Sequence, residues 1–393
     1  MPTSRGWAAV GVAGALLVLW AGFGEIELLA TALFLLVAVG GGVAFVRAVP
    51  PRLAVARRIH PSPVHEGEQV TVEVQMVAAG IARHLSLEDT VHGLGAVRFA
   101  AAGTRAGQHL TAHYEVYCRA RGIYQVGPAE VSVSDPFALT ERRGAAGSID
   151  RLVVYPQVEP LAGFPPVRGL DPAVQSKRPT FAPHGGEDFF TLREYQVGDD
   201  LRRVHWPSSA KRDQLMIRQL EVPWQARALL LLDQRAECYP TAEAFEHAVR
   251  GAASVVAHLY GGGFSPELWT AERTPGLRSD SRYTQAMETL AAVQALPHLN
   301  LPRTVARLRR GGTGGGALVL VTGVPDQGAL GAFRALAHDF ARTMVLAVVE
   351  RPGDSLLPLQ RAGALTVPAG PGTPWAPAWH TAMELSWSTA SAG

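Results

Sequence analysis

Cysteine is nearly absent from this chain, since Cys118 and Cys238 are its only two among 393 residues. They form neither a CxxC pair nor a disulfide framework, and such usage is typical of a protein in a reducing compartment. An excess of charge of one sign is missing too, because the formal net charge is only +2. So balanced a charge gives no reason to expect nucleic acid as the main partner.

Signatures of common catalytic sites are also lacking. The glycine-rich run 311–316 precedes an apolar stretch, whereas a phosphate loop follows one, and no Gly-Lys-Ser/Thr completes it. The histidines are scattered, and the HEGE string at His65 is not the HExxH of a zinc enzyme. We therefore predict a protein that is not an enzyme and has no cofactor of its own.

Two long apolar runs are present, at Trp7–Phe23 and Ile26–Val46, separated by Gly24 and Glu25. At about 1.5 Å per residue they span roughly 26 and 32 Å, close to the hydrocarbon thickness of a bilayer. A signal peptide is the alternative for the first run, but a second run follows at once. The pattern predicts a transmembrane helical hairpin in residues 1–50.

Basic residues flank both ends of this hairpin. Arg5 precedes it, and Arg47, Arg52, Arg57 and Arg58 follow it, whereas the turn carries only acidic charge. The positive-inside rule then places both ends in the cytoplasm. We expect a multi-pass protein of the inner (plasma) membrane, with its soluble domains in the cytoplasm.

Alternating polar and apolar residues follow in residues 51–156. The strings QVTVEVQMV, LTAHYEVYCRA and AEVSVSD have the period of half-buried strands, and turn residues separate them. This spacing favours an immunoglobulin-like β-sandwich. Residues 157–224, rich in proline and glycine at first, are predicted to be a linker and a charged segment.

Residues 225–393 change to a β/α pattern. ARALLLLD, ending at Asp233, is the continuous apolar run of a buried parallel strand, and Thr241 can cap an amphipathic helix after it. Further strands are predicted at 264–270, 317–322 and 343–349, with helices at 283–296 and 330–340. The pattern indicates a parallel sheet flanked by helices.

The segment REYQVGDDLRRVHW, Arg193–Trp206, is the most charged stretch of the chain. Its acids and bases alternate almost one for one, which favours forked guanidinium–carboxylate pairs. We interpret it as an interdomain clamp; a partner-binding surface is the second interpretation. A catalytic site using Glu194, Asp199, Asp200 or His205 is the third. The residues of the clamp or partner site are Arg193, Glu194, Tyr195, Gly198, Asp199, Asp200, Arg202, Arg203, Trp206, Lys211 and Arg212.

Three strings resemble the DUF58 family of membrane-anchored proteins: RGIYQVGPAEVSVSDPFAL, LVVYP and FFTLREYQVGDDLRRVHWPSSAKRDQLMIRQLE. The resemblance implies a helix hairpin, a β-rich domain, the charged signature and a C-terminal domain similar to the von Willebrand factor A fold. It also implies a role as a membrane adaptor for a MoxR-type AAA+ ATPase.

A-type domains bind a divalent cation through an Asp-x-Ser-x-Ser loop, and the resemblance places Asp233 at the aspartate position. Arg235 and Glu237 stand at the two serine positions, and Gly323 stands where the family often has a second aspartate. Asp326 could substitute only if its loop bends back. An arginine here puts a permanent cation where Mg²⁺ would sit, so we expect a degenerate site at Asp233.

The sequence thus predicts a non-enzymatic scaffold that binds a protein partner at the membrane. A membrane-bound hydrolase acting on envelope material, with an acid or base in the charged segment, is one alternative. A metal-dependent adhesion module is the other.

Overall fold

The structure is a computed structural model. It describes residues 1–48, 53–78, 84–101, 104–105, 107–164, 190–194, 206–212, 214–220, 227–271, 282–310, 316–351 and 353–391. The chain divides into two compact units, one of residues 1–158 with 287–293, the other of residues 159–286 with 294–393.

The first unit begins with two antiparallel apolar helices, α1 (Ser4–Phe23) and α2 (Ile26–Ala48). Gly24 closes α1 in a left-handed conformation, which glycine adopts without steric cost, and the chain then reverses. Both helices are long and apolar enough to cross a membrane, and only 11% and 22% of their apolar windows are buried. Most of their apolar surface therefore faces outward.

Ten strands follow in the described part of this unit. They are β1 (Leu53–His60), β2 (Val64–His65), β3 (Gln69–Ala78), β4 (His84–Val91), β5 (Gly95–Ala101), β6 (His109–Tyr117), β7 (Gly122–Val126), β8 (Ala129–Ser134), β9 (Glu141–Ala146) and β10 (Asp150–Tyr155). One sheet has the order β1-β3-β6; the other has β2-β10-β7-β4-β8-β9, with β5 on β4. Of these pairs only β2–β10 is parallel. Residues of both sheets form one hydrophobic core.

A buried ion pair joins the two sheets of this unit. Arg57 of β1 donates to both carboxylate oxygens of Asp89 on β4, at 2.8–3.1 Å, and both side chains are fully buried. Tyr114 donates to the same carboxylate at 2.8 Å. Arg57, one of the basic residues that follow the predicted hairpin, therefore has its side chain buried in the interior of this unit.

The second unit includes a two-stranded ladder, β11 (Phe190–Glu194) antiparallel to β12 (Met216–Leu220), and helix α3 (Trp206–Arg212). Ser209 of α3 accepts a hydrogen bond from the backbone N–H of Met216 at 2.9 Å, and both residues are buried. This bond ties the helix to the start of β12.

A five-stranded parallel sheet forms the centre of the second unit, in the order β14-β13-β15-β16-β17. The strands are β13 (Arg227–Leu232), β14 (Ser265–Trp269), β15 (Ala317–Thr322), β16 (Arg342–Val348) and β17 (Leu365–Ala369). All six residues of β15 are buried, because helices cover both faces of the sheet. The apolar strand predicted at 226–233 and the one at 317–322 are present.

The described residues after β12 contain six α-helices. They are α4 (Ala242–Gly261), α5 (Arg282–Ala292), α6 (Leu301–Arg310), α7 (Gln327–Ala337), α8 (Leu357–Arg361) and α9 (Trp375–Ser391). Thr241 caps α4 as predicted, by accepting from the Ala244 amide. The predicted helices at 283–296 and 330–340 are α5 and α7, with shifted ends, whereas α9 and β17 were not foreseen. The basic residues Arg307, Arg309 and Arg310 lie in the last turn of α6.

Candidate functional site at the strand ends

The site lies where β13 and β15 end, at the carboxyl edge of the parallel sheet. Asp233 follows β13 directly and is fully buried. Its carboxylate accepts from the Arg235 amide at 3.1 Å and from the hydroxyl of Thr322, the last residue of β15, at 3.1 Å. Carboxyl edges are where open α/β sheets place their ligands. The buried acid therefore stands at the expected position for chemistry.

Arg235 bridges two aspartates here. Its Nε lies 3.0 Å from Asp233 Oδ1 and its Nη2 lies 2.7 Å from Asp233 Oδ2. The far side of the same guanidinium donates to both oxygens of Asp326, at 2.7 and 2.9 Å. The loop after β15 thus does bend back far enough to bring Asp326 to the site. Each carboxylate is held by a forked pair, the geometry that an arginine matches best.

These contacts favour the charged forms of Arg235 and Asp326. Burial opposes the charge of Arg235, but its hydrogen bonds to Asp326 and Asp233 outweigh that, so its pKa is raised. The hydrogen bond from Arg235 lowers the pKa of Asp326, which also accepts from the Ala329 amide as the N-cap of α7. The ion pair between Arg235 and Asp326 therefore persists throughout the neutral pH range.

Two neighbours are held in their neutral forms. Burial, with the nearby Asp233 charge, raises the pKa of the Cys238 thiol to about 12. Burial also raises the pKa of Tyr239, whose hydroxyl donates to the Asp233 carbonyl oxygen at 2.6 Å. A thiol with so high a pKa is a poor nucleophile at neutral pH.

Two glycines make room for this arrangement. A Cβ at Gly323 would collide with the Cys238 carbonyl, so the backbones of the loops after β13 and β15 approach each other closely at this glycine. A Cβ at Gly328 would lie 2.6 Å from Arg235 Nη1. An aspartate at 323 would not fit beside the Cys238 carbonyl, and Arg235 has taken the position between the acids.

The degenerate cation site expected at Asp233 consists of side-chain oxygen atoms close to the Arg235 guanidinium. Asp233, Thr322 and Asp326 supply hard oxygen atoms of the kind that Mg²⁺ prefers. Asp233 and Asp326 contact the Arg235 guanidinium, and Thr322 donates to Asp233. The described residues contain no group of three or more His, Cys, Asp or Glu side chains that could hold a metal ion. The oxygen set is therefore compatible with a cation, and the cation in contact with it is Arg235.

The charged signature, which comprises Arg193–Trp206 with Lys211 and Arg212, lies only partly within the described residues. Arg193 and Glu194 are the last residues of β11, in register with Ile217 and Met216. Lys211 is exposed on α3, and Arg212 ends that helix. Tyr195, Gly198, Asp199, Asp200, Arg202, Arg203 and His205 lie outside the described residues.

Trp206 is the exposed member of the charged segment on α3. It begins this helix with 67% of its surface exposed. The reason is local, because α3 turns Ser209 toward β12 and leaves its first residue outside.

Sequence reasoning found Asp233, Arg235 and Asp326 but missed Thr322, Tyr239 and Gly328. The predicted strand 317–322 includes Thr322, and the polar side chain at the end of this apolar run is the available signal. Gly328, the second residue of a helix, has no sequence signal beyond its poor helix propensity.

Residues 191–367 match the model of a family described as "Protein of unknown function DUF58". "Uncharacterized protein YeaD" of Bacillus subtilis (strain 168) is 24% identical over 201 residues, which cover 51% of this chain and 49% of that protein. The match thus spans about half the length of the curated relative.

Three solved structures share limited similarity with the chain. The CARDB domain of a Pyrococcus furiosus protein, solved with di-metal ions, is 12% identical, with 26% of this chain and 88% of that chain covered (TM-score 0.21). The alkylpurine DNA glycosylase AlkC of Pseudomonas fluorescens is 14% identical, with 30% and 33% covered (TM-score 0.18). Spo0M of Bacillus subtilis is 12% identical, with 27% and 50% covered (TM-score 0.17). From β11 through most of β17, the chain carries a region that is similar to the DUF58 family.

Proposed function

We propose that this protein is a membrane-anchored, non-enzymatic adaptor that binds a protein partner in the cytoplasm. Helices α1 and α2 cross the bilayer, and both units lie on its cytoplasmic side. We further infer an immunoglobulin-like sandwich for the β-rich unit and a von Willebrand factor A-like domain for the α/β unit. A MoxR-type AAA+ ATPase is the partner that the resemblance to DUF58 proteins implies.

The observation that carries this proposal is the Arg235 guanidinium held between Asp233 and Asp326. A protein side chain fills the position between the two acids at the edge of the sheet, with 6% of its surface exposed. The loops around it are fixed by the charge-assisted bonds of Arg235 to Asp233 and Asp326 and by the Thr322 hydroxyl. Such a site is built to hold its loops in one shape, which is what a docking surface requires.

The rim of this site is exposed and mixed in character. Glu237 exposes 68% of its side chain, Asp326 exposes 45%, and Val324 is 43% exposed. Exposed carboxylates together with an exposed apolar residue suit a basic partner surface that also offers an apolar contact. Membrane anchoring then raises the effective concentration of the partner near the bilayer.

The proposal is tested by flotation of a purified MoxR-type ATPase with proteoliposomes that carry the full chain. Wild-type protein should carry the ATPase to the top of the gradient. The double variant Glu237→Arg/Val324→Asp should capture much less, because it removes both rim features. The matched control is Asp339→Arg, which reverses an exposed charge paired with Arg309 at the opposite edge of the sheet.

Two outcomes would argue against the proposal. Failure of the wild-type chain to float the ATPase would remove this partner class. Equal capture by the rim variant and the Asp339 control would show that the partner binds elsewhere. In the second case, charge reversal at Arg202 and Arg203 tests the signature as the docking surface.

A further inference from the structure

The loop between β8 and β9, residues 135–140, packs against the base of the helix pair within the first unit. Thr3, the N-cap of α1, donates its amide to the Leu139 carbonyl at 2.8 Å and its hydroxyl to the Ala138 carbonyl at 2.7 Å. Pro2 also forms an antiparallel bridge with Thr140. The loop is therefore hydrogen-bonded directly to the start of α1.

Glycines on both helices allow this close approach. A Cβ at Gly6 of α1 would collide with the Leu139 carbonyl oxygen. A Cβ at Gly42 of α2 would lie 2.9 Å from the Thr140 hydroxyl and 3.2 Å from the Asp135 carboxylate. The loop thus contacts α1 and α2 at the same height along the helix pair. The positions of these two glycines therefore fix how far the loop lies from the turn between the helices.

The loop is also held rigidly from within. Asp135 is buried, and its carboxylate accepts from the Phe137 amide at 2.8 Å and from the Thr140 hydroxyl at 2.8 Å, as well as from the Thr140 amide. Phe137 nevertheless exposes 73% of its surface. A large apolar ring is therefore presented outward from a fixed backbone.

The length of α2 sets the depth of this ring. Gly42 lies about 24 Å along the helix axis from Ile26, at a rise of about 1.5 Å per residue. The hydrocarbon core of a bilayer is about 30 Å thick. If Ile26 lies at the far boundary of the core, Gly42 and the loop beside it lie within about 6 Å of the near boundary.

Aromatic and basic residues at the same level fit such a boundary. Trp7 follows Gly6 directly and is 63% exposed, and aromatic rings concentrate at the membrane interface. Arg5, Arg47 and Arg142 are exposed nearby, and Arg142 donates to the Arg47 carbonyl at 3.4 Å. Basic residues at this position favour an anionic lipid surface.

We propose that the β8–β9 loop is a third point of membrane contact, in which Phe137 enters the interface of the leaflet beside the β-rich unit. This inference rests on the membrane anchoring in the proposed function. It adds that the first unit is seated on the lipid surface and does not hang from the helices by a free linker. The bilayer then fixes the orientation of the β-rich unit as well as its location.

The test uses an environment-sensitive fluorophore on single introduced cysteines in the full chain. The variant Phe137→Cys probes the loop, and Ile149→Cys is the matched control. Ile149 is also an exposed apolar loop residue, but it follows the far end of β9, about 17 Å of strand away from Glu141. Phe34→Cys, on the exposed face of α2, reports insertion of the helices. The native cysteines are both buried, so mock-labelled wild type gives the background.

Each protein is placed in vesicles of phosphatidylcholine and phosphatidylglycerol with nitroxide lipids as quenchers. The label at 137 should be quenched several-fold more than the label at 149 by nitroxide near the headgroups, and its emission should shift to the blue. The label at 34 should be quenched best by nitroxide deep in the acyl chains.

The outcomes separate the two proposals. Equal, weak quenching at 137 and 149, with deep quenching at 34, would overturn the third contact and leave the membrane anchor standing. Loss of deep quenching at 34 would overturn the anchor, and this inference would fail with it.

Discussion

The substitution Arg235→Met tests whether the guanidinium is the counterion of the strand-end site. Methionine keeps most of the side-chain volume but leaves Asp233, which is fully buried, without its cation. Breaking a buried pair in this way costs about 3 to 5 kcal/mol. Asp326→Asn is the matched control, because this partner is 45% exposed and an exposed pair contributes about 0 to 1 kcal/mol.

The two native cysteines supply a separate reporter for each unit. Cys238 is buried beside the site in the second unit, and Cys118 is buried in the first. When opening is rapid, the rate of thiol labelling follows the population of the open form. Arg235→Met should therefore speed the labelling of Cys238 by roughly 150- to 4000-fold in moderate urea, which corresponds to the expected 3 to 5 kcal/mol.

Mass spectrometry of the labelled peptides distinguishes the two thiols. Labelling of Cys118 should remain unchanged in Arg235→Met, because the substitution lies in the other unit. If Arg235→Met changed Cys238 labelling no more than Asp326→Asn does, the buried ion pair would not be the element that fixes the strand-end loops. Burial of the Arg235–Asp233 charges would then not account for the stability of this site.

Three further predictions follow from other contacts. Gly323→Ala should destabilise the second unit and speed Cys238 labelling, since its Cβ meets backbone, whereas Gly331→Ala, with open space around it, should not. Burial lowers the pKa of His247, which stacks on Trp375, so its native state favours the neutral ring. The contribution of His247 to the free energy of unfolding should therefore be complete above about pH 6.5 and decrease as the pH falls below it. In urea titrations at several pH values, His247→Phe should reduce this loss, whereas a variant of exposed His298 should not. Tyr114→Phe should cost the first unit about 1 to 3 kcal/mol by removing a hydrogen bond to buried Asp89, measured as faster Cys118 labelling; unchanged labelling would contradict it.

Elements that consist of a continuous apolar run could be predicted from the sequence. The two apolar helices, β13 and β15 need no tertiary information, because each is a continuous apolar run of suitable length. The Thr241 cap was predictable for a similar reason, since a hydroxyl residue directly precedes an amphipathic stripe.

Elements whose polar residues find buried partners could not be predicted. Strand β1 contains two adjacent arginines, and only the distant Asp89 and Asp150 explain how Arg57 can be buried in a strand. Strand β4 carries Asp89 itself, which masks its alternation. Helix α9 has Pro377 near its start and two tryptophans whose burial against α4 and residues 162–163 depends on tertiary contacts.

The candidate site was partly predictable. The sequence placed Asp233 at a strand end and identified Arg235 as a competing cation, because both follow one apolar run within three residues. The distance from Asp326 to the site depends on the backbone after β15, and no local pattern encodes it. The contact of Cys238 with Gly323 joins two loops that are 85 residues apart in the chain.

The central claim is that the two helices hold both units on the cytoplasmic side, where an ATPase can reach them. Fusions of alkaline phosphatase and of a fluorescent protein to the C-terminus of the full chain test this claim most directly. We predict a fluorescent fusion and an inactive phosphatase, because the phosphatase needs an oxidising compartment. An active phosphatase together with a non-fluorescent fluorescent-protein fusion would place both units outside the cytoplasm and contradict this claim.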